Sequence, residues 1–308
     1  MIYQNLTELV GRTPLLNLQR MASLHGALAQ VVAKVEAFNP GGSVKDRVAL
    51  HMIEDAEARG LLRPGSVIIE PTSGNTGVGL AWISRVKGYE AIIVMPDSMS
   101  VERQSLLRAS GARLVLTPGA QGMKGAISEA ERLCNETPGA VILGQFTNPA
   151  NAEAHELTTG EEIWQDTDGQ VDIFVAGVGT GGTLTGTART LKKHNPQIRI
   201  VAVEPADSAV LSGGKAGAHG LQGIGAGFIP EILDTNLIDE VIRVTDEEAY
   251  LAGRQLSATE GLLTGISSGA AVHAAIQLAL RSENKDKRIV VLLPDTGERY
   301  LSTKLFMP

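Results

Sequence analysis

A lysine at the start of a predicted helix is the first residue of this sequence that could do covalent chemistry. The segment reads Asn39-Pro-Gly-Gly-Ser-Val-Lys-Asp-Arg47, and apolar residues at helical spacing follow it as far as Gly60. If Ser43 is the N-cap, Lys45 lies in the first turn, where the partial positive charge of the helix end favours the neutral amine. A lone lysine is usually a solvated surface cation, but a neutral one is a nucleophile toward carbonyl carbons.

A glycine-rich loop, Gly177-Val-Gly-Thr-Gly-Gly-Thr183, joins a predicted strand to a predicted helix. Backbone N–H groups at a helix N-terminus bind anions, and the hydroxyls of Thr180 and Thr183 favour a terminal phosphate over a bridging pyrophosphate. We therefore refer to Gly177–Thr183 as the phosphate loop. The same loop also matches G-x-G-x-x-G, and Glu204 ends the next predicted strand, near the position of a ribose-binding acid. A nicotinamide-dependent oxidoreductase is thus an open alternative.

A second loop, Pro71-Thr-Ser-Gly-Asn-Thr-Gly77, also lies between a predicted strand and a predicted helix. Its hydroxyls and backbone N–H groups could bind a carboxylate, and Asn75 adds an amide for a polar oxygen. We refer to it as the carboxylate loop. A third turn, Gly265-Ile-Ser-Ser-Gly269, is predicted mainly as a helix N-cap. A lysine that forms Schiff bases, a phosphate site and a carboxylate site are together what pyridoxal phosphate chemistry on an amino acid requires.

These loops must be positioned by a framework of alternating strands and helices. Most predicted strands are continuously apolar, which is typical of strands buried on both faces of a parallel sheet. The pattern predicts an α/β fold with two open sheets and helices on both sides of each, with a break at 145–151. The predicted strands are 31–35, 67–70, 91–95, 113–116, 141–145, 172–176, 198–203, 240–244 and 288–293, and the predicted helices are 46–59, 78–86, 101–110, 123–135, 151–165, 183–194, 246–260 and 268–281.

Composition and charge disfavour several classes of function. The 308 residues are 43% hydrophobic and 20% charged, and the net charge of −7 argues against nucleic acid and anionic membranes as partners. The apolar runs are too short to span a membrane, and the histidines show no metal-binding spacing, so neither a membrane nor a metal is expected. The single cysteine, Cys134, cannot form an internal disulfide, and no signal peptide is recognisable, which together predict a cytoplasmic protein.

The motifs resemble those of the O-acetylserine sulfhydrylase (cysteine synthase) family, which belongs to fold type II of the pyridoxal phosphate enzymes. The resemblance rests on Pro40–Arg47, Thr72–Gly77, Gly179–Thr183 and Gly265–Gly269, which occur in the family's order. The segment Gly223–Pro230 is more similar to the A-type members than to the B-type. The likeness runs nearly from end to end of the chain.

The resemblance implies two open, mostly parallel twisted sheets with flanking helices, as in the β subunit of tryptophan synthase, and an active site between two domains. Residues 1–38 and 149–308 would form the large cofactor-binding domain, and residues 39–148 a small mobile domain. The implied reaction replaces the acetate of O-acetyl-L-serine by sulfide through an α-aminoacrylate and gives L-cysteine and acetate. A cystathionine β-synthase-like enzyme, or another lyase or transferase acting on β-substituted serines, is the alternative within this fold.

The resemblance also implies roles for individual residues. Lys45 matches the lysine that carries the internal aldimine and acts as general base. Asn75 matches the ligand of the ring 3′-oxygen, and Ser267 matches the hydroxyl that faces the pyridine nitrogen. That neutral hydroxyl leaves the ring a weaker electron sink than an aspartate would, which favours β-elimination over transamination. The loop that binds the cofactor phosphate matches Gly179, Thr180, Gly181, Gly182 and Thr183. The site for the substrate carboxylate matches Thr72, Ser73, Thr76 and Gln145, and Gly227 lies in the loop beside the substrate amino group.

The resemblance also implies binding partners, and two positions of this sequence differ from the family pattern. A homodimer is expected, and because the family's active-site cleft accepts the C-terminal tail of serine acetyltransferase, a regulatory complex is a further expectation. Arg12 stands where the family usually has asparagine, in a region that senses anions in some members, so the same regulation is not carried over. Glu161 replaces an expected proline, with no implied effect on the chemistry.

Overall fold

A computed structural model describes residues 2–307 of the chain. Strands and helices alternate along it, and the loops between them carry the candidate residues. The strands are β1 Leu15–Asn17, β2 Gln30–Val35, β3 Val67–Pro71, β4 Glu90–Pro96, β5 Arg113–Thr117, β6 Ala140–Ile142, β7 Ile173–Gly177, β8 Arg199–Pro205, β9 Glu240–Val244 and β10 Arg288–Leu293. The helices are α1 Gln19–His25, α2 Lys45–Ala58, α3 Asn75–Lys87, α4 Val101–Ala109, α5 Gly122–Glu136, α6 Ala150–Ala154, α7 Gly160–Asp166, α8 Gly182–His194, α9 Asp246–Glu260 and α10 Ile266–Ala279.

The chain divides into two compact units, each built from two stretches of sequence. The smaller unit comprises Met1–Val10 and Asn39–Asn151, and the larger comprises Gly11–Phe38 and Ala152–Pro308. The predicted division differs from this one in residues 1–10 and 149–151, which it assigned to the large domain. Residues 1–10 group with the smaller unit because the 3₁₀ turn at Leu6–Leu9 packs against α3.

In the described part of the smaller unit, four parallel strands form a sheet in the order β5-β4-β3-β6. Side chains alternate across β3, so Ile68 packs into a core shared with Val48 of α2 and Leu80 of α3. Its neighbour Ile69 faces the other side and packs with Ala126 of α5. Helices therefore cover both faces of the sheet, which explains why its central strands are mostly apolar.

In the described part of the larger unit, six strands form a sheet in the order β1-β2-β10-β7-β8-β9. All neighbours are parallel except the edge strand β1, which pairs with β2 in the antiparallel direction. Val31, Val201 and Ile289 share one core with α10, whose small residues Ala270 and Ala274 are fully buried. The predicted α/β architecture of open, mostly parallel sheets with flanking helices is confirmed.

The predicted strands are all present, with small differences at their ends. The largest difference is in β6, which ends at Ile142 instead of continuing to Gln145. The backbone N–H groups of Gly144 and Gln145 donate to the Glu70 carboxylate and not to a neighbouring strand. The elements β1 and α1 were not predicted, because they are too short to show a clear periodicity. One helix was predicted over 151–165, whereas the structure has α6, a π-helical turn at His155–Thr159 and then α7.

Two properties of the described residues bear on membrane insertion and metal binding. Within residues 2–307, none of the helices combines the length and apolar character needed to cross a membrane. Across the same residues, no group of three or more histidine, cysteine, aspartate or glutamate side chains is arranged to hold a metal ion.

Candidate active site

Lys45 is the first residue of α2, so its predicted place in the first helical turn is confirmed. The N-cap is Val44, not Ser43, and no side chain caps the helix. Ser43 instead lies one residue further out, where its Oγ accepts a hydrogen bond from the Lys45 backbone nitrogen at 3.3 Å. The Lys45 side chain is half-buried, so it is neither a solvated surface cation nor sealed in the core.

The buried carboxylate of Asp46 holds the loop that precedes Lys45. It accepts hydrogen bonds from the backbone nitrogen of Gly41 and, at 3.1 Å, from the indole nitrogen of Trp82 on α3. A Cβ on Gly41 would lie 2.4 Å from Asp46 Oδ1, so the loop can close on this carboxylate only with glycine there. Gly79 of α3 also packs closely here, since a Cβ on it would lie 3.1 Å from the Lys45 carbonyl oxygen. Packing against α3 therefore fixes the backbone of Lys45.

The residues predicted to bind the substrate carboxylate lie together in the smaller unit. The carboxylate loop follows β3, and α3 begins at Asn75, so the positive end of the α3 dipole lies beside the loop. Thr76 Oγ1 donates a hydrogen bond to Gln145 Oε1 at 2.6 Å across 69 positions of sequence. This hydrogen bond uses the amide oxygen of Gln145 as an acceptor, so the donor group of the amide is its Nε2. Thr72, Thr76 and Gln145 are all buried.

A buried carboxylate supports the Gln145 side of this cluster. Glu70, near the end of β3, accepts hydrogen bonds from the backbone nitrogens of Gly144 at 3.1 Å and Gln145 at 3.2 Å. Burial raises the pKa of Glu70 above its ordinary value, and the backbone N–H donors partly oppose that rise. Asn151 adds a hydrogen bond from its Nδ2 to the Gln145 carbonyl oxygen at 2.7 Å. From the sequence, Glu70 was predicted only as the last residue of a strand.

A guanidinium supports the other side of the carboxylate loop. Arg103 of α4 donates from its Nη1 to the carbonyl oxygen of Ser73 at 2.7 Å. The helix is capped by Ser100, whose Oγ accepts from the Arg103 backbone nitrogen at 3.3 Å. This contact holds Ser73 in place and brings a positive charge to the loop, although no motif in the sequence marks Arg103.

The phosphate loop of the larger unit is shaped by close backbone packing. It connects β7 to α8, and its N-cap residue Gly181 has a left-handed backbone with φ of 87°. A Cβ on Gly179 would lie 2.4 Å from the Gly223 carbonyl oxygen, and one on Gly181 would lie 2.7 Å from Leu233 Cβ. The first turn of α8 contains no acidic residue, so the positive end of the helix dipole is available to an anion.

The hydroxyls of the phosphate loop are buried, and one of them is held by a histidine that the sequence analysis missed. His155 is fully buried in the π-helical turn. Its Nε2 lies 3.2 Å from Thr183 Oγ1 and its Nδ1 lies 2.8 Å from Thr159 Oγ1. The imidazole thus orients the Thr183 hydroxyl, while Thr180 is buried in the same loop. Because 28 positions separate His155 from Thr183, no local pattern signals this pair.

Ser267 and Gly227 occupy a second part of the larger unit. Ser267 is buried in the first turn of α10, whose N-cap is Gly265. Gly223 runs beside it, since a Cβ on Gly223 would lie 3.7 Å from Ser267 Oγ. Gly227 follows with a left-handed backbone of φ 82°, and a small pocket is lined by both Gly179 and Gly227. The larger unit therefore brings the phosphate loop, Ser267 and Gly227 into one neighbourhood.

Glu204 is not placed as a ribose-binding acid. Its carboxylate is buried and accepts hydrogen bonds from the backbone nitrogens of Leu211 at 2.7 Å and Ser212 at 3.0 Å. The Ser212 hydroxyl donates a further hydrogen bond to the same group. These contacts occupy the carboxylate in holding a loop, which argues against the dinucleotide alternative.

Comparison with known families decides between the candidate chemistries. The family described as pyridoxal-phosphate dependent enzyme matches residues 6–295. The chain belongs to this family.

Relatives within the family are similar over nearly their whole length. The chain is 53% identical over 303 residues to a cysteine synthase of Staphylococcus aureus strain Mu50, covering 98% of this chain and 96% of the relative. It is 52% identical over 314 residues to cysteine synthase A of Escherichia coli strain K12, covering 99% and 96%. Among solved structures, a cysteine synthase (OASS) from Entamoeba histolytica has a TM-score of 0.97 at 46% identity, covering 100% of this chain and 92% of that one. An O-ureido-L-serine synthase has a TM-score of 0.95 at 44% identity, covering 100% and 96%.

The residues present fit the cofactor of a pyridoxal-phosphate dependent enzyme. The smaller unit has a half-buried primary amine at Lys45, at the start of a helix that the Asp46 hydrogen bonds hold in place. The larger unit offers an anion site at the start of α8, with buried hydroxyls from Thr180 and Thr183. It also offers the buried hydroxyl of Ser267, which suits a pyridine nitrogen that needs only a neutral partner.

Proposed function

We propose that this chain is a cysteine synthase, which replaces the acetate of O-acetyl-L-serine by sulfide and gives L-cysteine and acetate. The observation that carries the proposal is identity of 52–53% to cysteine synthases over nearly the full length of both chains. The geometry supports it because the chain combines a half-buried lysine amine at a helix start with an anion site and a carboxylate site that contain buried, hydrogen-bonded side chains.

Lys45 has two roles in this proposal. Its amine would hold the cofactor covalently through the aldehyde carbon. When the cofactor is bound, it withdraws electrons from the substrate α-carbon and so acidifies the α-proton. Lys45, released by the incoming amino group, would then remove that proton and later return it. The Asp46 and Trp82 contacts fix the start of α2, which keeps the Lys45 backbone in one place throughout.

The remaining cofactor contacts divide between the two units. Asn75, the first residue of α3, would hold the ring 3′-oxygen. In the larger unit the phosphate would accept hydrogen bonds from the phosphate loop, and Ser267 would face the pyridine nitrogen. A hydroxyl donates to or accepts from that nitrogen without adding charge, which favours elimination of a β-substituent over transamination. The phosphate ligands are Gly179, Thr180, Gly181, Gly182 and Thr183.

The substrate carboxylate would be bound by the carboxylate loop and Gln145. The hydroxyls of Thr72 and Ser73, the Gln145 amide and the N–H groups at the start of α3, that of Thr76 among them, would be donors for which a carboxylate is the matching acceptor. Gly227 would line the amino side of the substrate. Binding the carboxylate at fixed donors orients the α-proton toward one face, where a single base can remove it.

The first test is the visible absorption of the purified protein with O-acetyl-L-serine alone and then with sulfide. We expect a visible cofactor band that changes with O-acetyl-L-serine, returns when sulfide is added, and is accompanied by free L-cysteine. Lys45→Ala should abolish turnover without unfolding the protein, and substantial cysteine synthesis by that variant would contradict the assignment of Lys45.

A second set of assays separates this function from its alternatives within the fold. Homocysteine and cyanide replace sulfide in parallel reactions, and L-serine replaces O-acetyl-L-serine. A much higher kcat/KM with homocysteine and L-serine would move the assignment to a cystathionine β-synthase-like enzyme. A cofactor band that ignores O-acetyl-L-serine but responds to another β-substituted serine would change the substrate and keep the fold.

We extend the proposal to partners and location. The family resemblance supports a homodimer, which light scattering of the purified protein tests directly. It also supports binding of a serine acetyltransferase C-terminal tail, for which a peptide ending in isoleucine is titrated against cofactor fluorescence. A cytoplasmic location is supported by the single cysteine, which cannot form an internal disulfide.

A further inference from the structure

Glu70 is a charged residue at a position where the fold would accept an apolar one. Strand alternation places it on the same side of β3 as Ile68, which packs into the core formed with α2 and α3. Its exposure is 1%, and an isolated carboxylate in such a place is strongly unfavourable. A specific set of hydrogen bonds must therefore account for it.

Those hydrogen bonds all come from the loop that carries Gln145. The backbone nitrogens of Gly144 and Gln145 donate to the two Glu70 oxygens at 3.1 and 3.2 Å, and the backbone of Leu143 contributes as well. A single carboxylate thus collects the N–H groups of consecutive residues directly after β6. An amide side chain has one acceptor oxygen and could not replace both of these acceptors.

The same loop reaches the start of α3 through one side chain. Gln145 Oε1 accepts from Thr76 Oγ1 at 2.6 Å, which ties the amide to the start of α3 and uses its oxygen as an acceptor. The position of the Gln145 backbone determines where its side-chain amide lies, and Glu70 holds that backbone through a hydrogen bond. We infer that Glu70 is a positioning residue for substrate recognition, which aligns the Gln145 amide with the carboxylate loop so that both bind the α-carboxylate of the amino acid. This inference rests on the proposed function.

Loss of this alignment should weaken substrate binding without affecting the cofactor. Glu70→Gln keeps the size and one acceptor oxygen but presents an N–H₂ group to a backbone N–H. We expect KM for O-acetyl-L-serine to rise about 10- to 100-fold, with cofactor content and KM for sulfide unchanged. Glu90→Gln is the matched control, because Glu90 lies on the adjacent strand β4 with an exposed ion pair to Arg113 at 3.5 Å. It should change none of these quantities.

Two measurements separate positioning from a merely structural role. In the double variant Glu70→Gln/Gln145→Ala, KM should be no higher than in Gln145→Ala alone, because Glu70 acts through Gln145. Hydrogen exchange should be faster at the amides of Gly144 and Gln145 in Glu70→Gln and unchanged elsewhere in the smaller unit. Multiplicative effects on KM, or faster exchange throughout the unit, would overturn the inference.

Binding of glycine separates this inference from the proposed function. Glycine has the α-carboxylate and the amine but no leaving group, and its binding is followed by the cofactor absorbance. Glu70→Gln should weaken it by the same factor as KM for O-acetyl-L-serine. If the parent protein fails to turn over O-acetyl-L-serine, the glycine and exchange measurements still test Glu70. Unchanged glycine affinity together with unchanged exchange at Gly144 and Gln145 refutes the role.

Discussion

The phosphate loop and the carboxylate loop have the same position, each between a strand and a helix, but they are held by different means. In the phosphate loop the backbone packs against protein, and a Cβ on Gly179 would lie 2.4 Å from the Gly223 oxygen. In the carboxylate loop a Cβ on Gly74 would meet nothing closer than Arg103 Nη1 at 3.9 Å. That loop is held by side-chain hydrogen bonds, such as the one between Thr76 and Gln145.

The difference corresponds to what each loop is proposed to bind. A cofactor phosphate stays in place through every turnover, and a backbone fixed by close packing presents its N–H groups without reorganisation. A substrate carboxylate enters and leaves, and side-chain donors held by neighbouring groups suit that exchange. Contact with backbone therefore requires glycine at position 179 of the phosphate loop. In the carboxylate loop a Cβ on Gly77 would meet side chains, the nearest being Leu107 Cδ2 at 3.0 Å, and hydroxyl and amide groups hold the loop.

The sharpest test of this comparison is Gly179→Ala. The added Cβ would meet a backbone oxygen, which cannot move aside as a flexible side chain can, so we expect affinity for pyridoxal phosphate to fall roughly 100-fold. Fluorescence titration of the apoprotein with the cofactor measures this.

Gly74→Ala is the matched variant in the carboxylate loop and should leave cofactor affinity unchanged. Equal losses of cofactor affinity in the two variants would show that both loops are held by backbone packing, and the comparison would fail.

A second pair of variants, one in each loop, should affect substrate KM in one case and cofactor affinity in the other. Thr76→Val leaves the buried Gln145 Oε1 without its donor, so KM for O-acetyl-L-serine should rise about tenfold with cofactor affinity unchanged. Thr183→Val removes the hydroxyl beside His155, so cofactor affinity should fall about tenfold. Steady-state kinetics and cofactor titration of both variants measure these effects. A rise in KM alone for Thr183→Val would contradict its place in the phosphate site.

A smaller effect is expected where side-chain hydrogen bonds hold the Lys45 loop. Trp82→Phe keeps the aromatic packing but removes the indole donor to Asp46, while the Gly41 nitrogen continues to donate. We expect kcat to fall about two- to fivefold with no change in affinity for the phosphate group, measured with inorganic phosphate as a competitor of the cofactor. No change in kcat would show that the Trp82 contact does not help to position Lys45.

The smallest expected effect is on stability: the contributions of Glu70 in the smaller unit and Glu240 in the larger unit should change with pH in opposite directions. Burial raises the pKa of Glu70, whereas in the larger unit the hydrogen bond from Arg281 lowers the pKa of Glu240. The Glu240 contribution to stability is present above its ordinary pKa and is lost as pH falls through the lowered value. The Glu70 contribution is full below its ordinary pKa and is lost as pH rises through the raised value.

Thermal unfolding between about pH 4 and pH 8 measures both signs. The Tm deficit of Glu240→Gln should be largest at neutral pH and shrink in acid. For Glu70→Gln, the Tm of the variant minus that of the parent should increase as pH rises. If the two differences changed in the same direction, one of the assigned pKa shifts would be wrong.

Most of the framework could be predicted from the sequence, because the central strands are mostly apolar. The loops that follow β3 and β7 were also predictable, since glycine and hydroxyl residues between a strand and a helix form a local pattern. The edge strand β1 and the π-helical turn at His155–Thr159 were not, because short or irregular elements have no periodicity of their own.

The amino-acid sequence by itself determined the fold class, the order of the candidate loops and the place of Lys45 at a helix start, because these depend on neighbours in the chain. Only the tertiary structure decided which residues hold those loops. Glu70 meets Gln145 75 positions away, and Trp82 meets Asp46 36 positions away. Such pairs form because sheet and helix packing bring distant side chains into one low-dielectric interior, where buried polar groups must find partners.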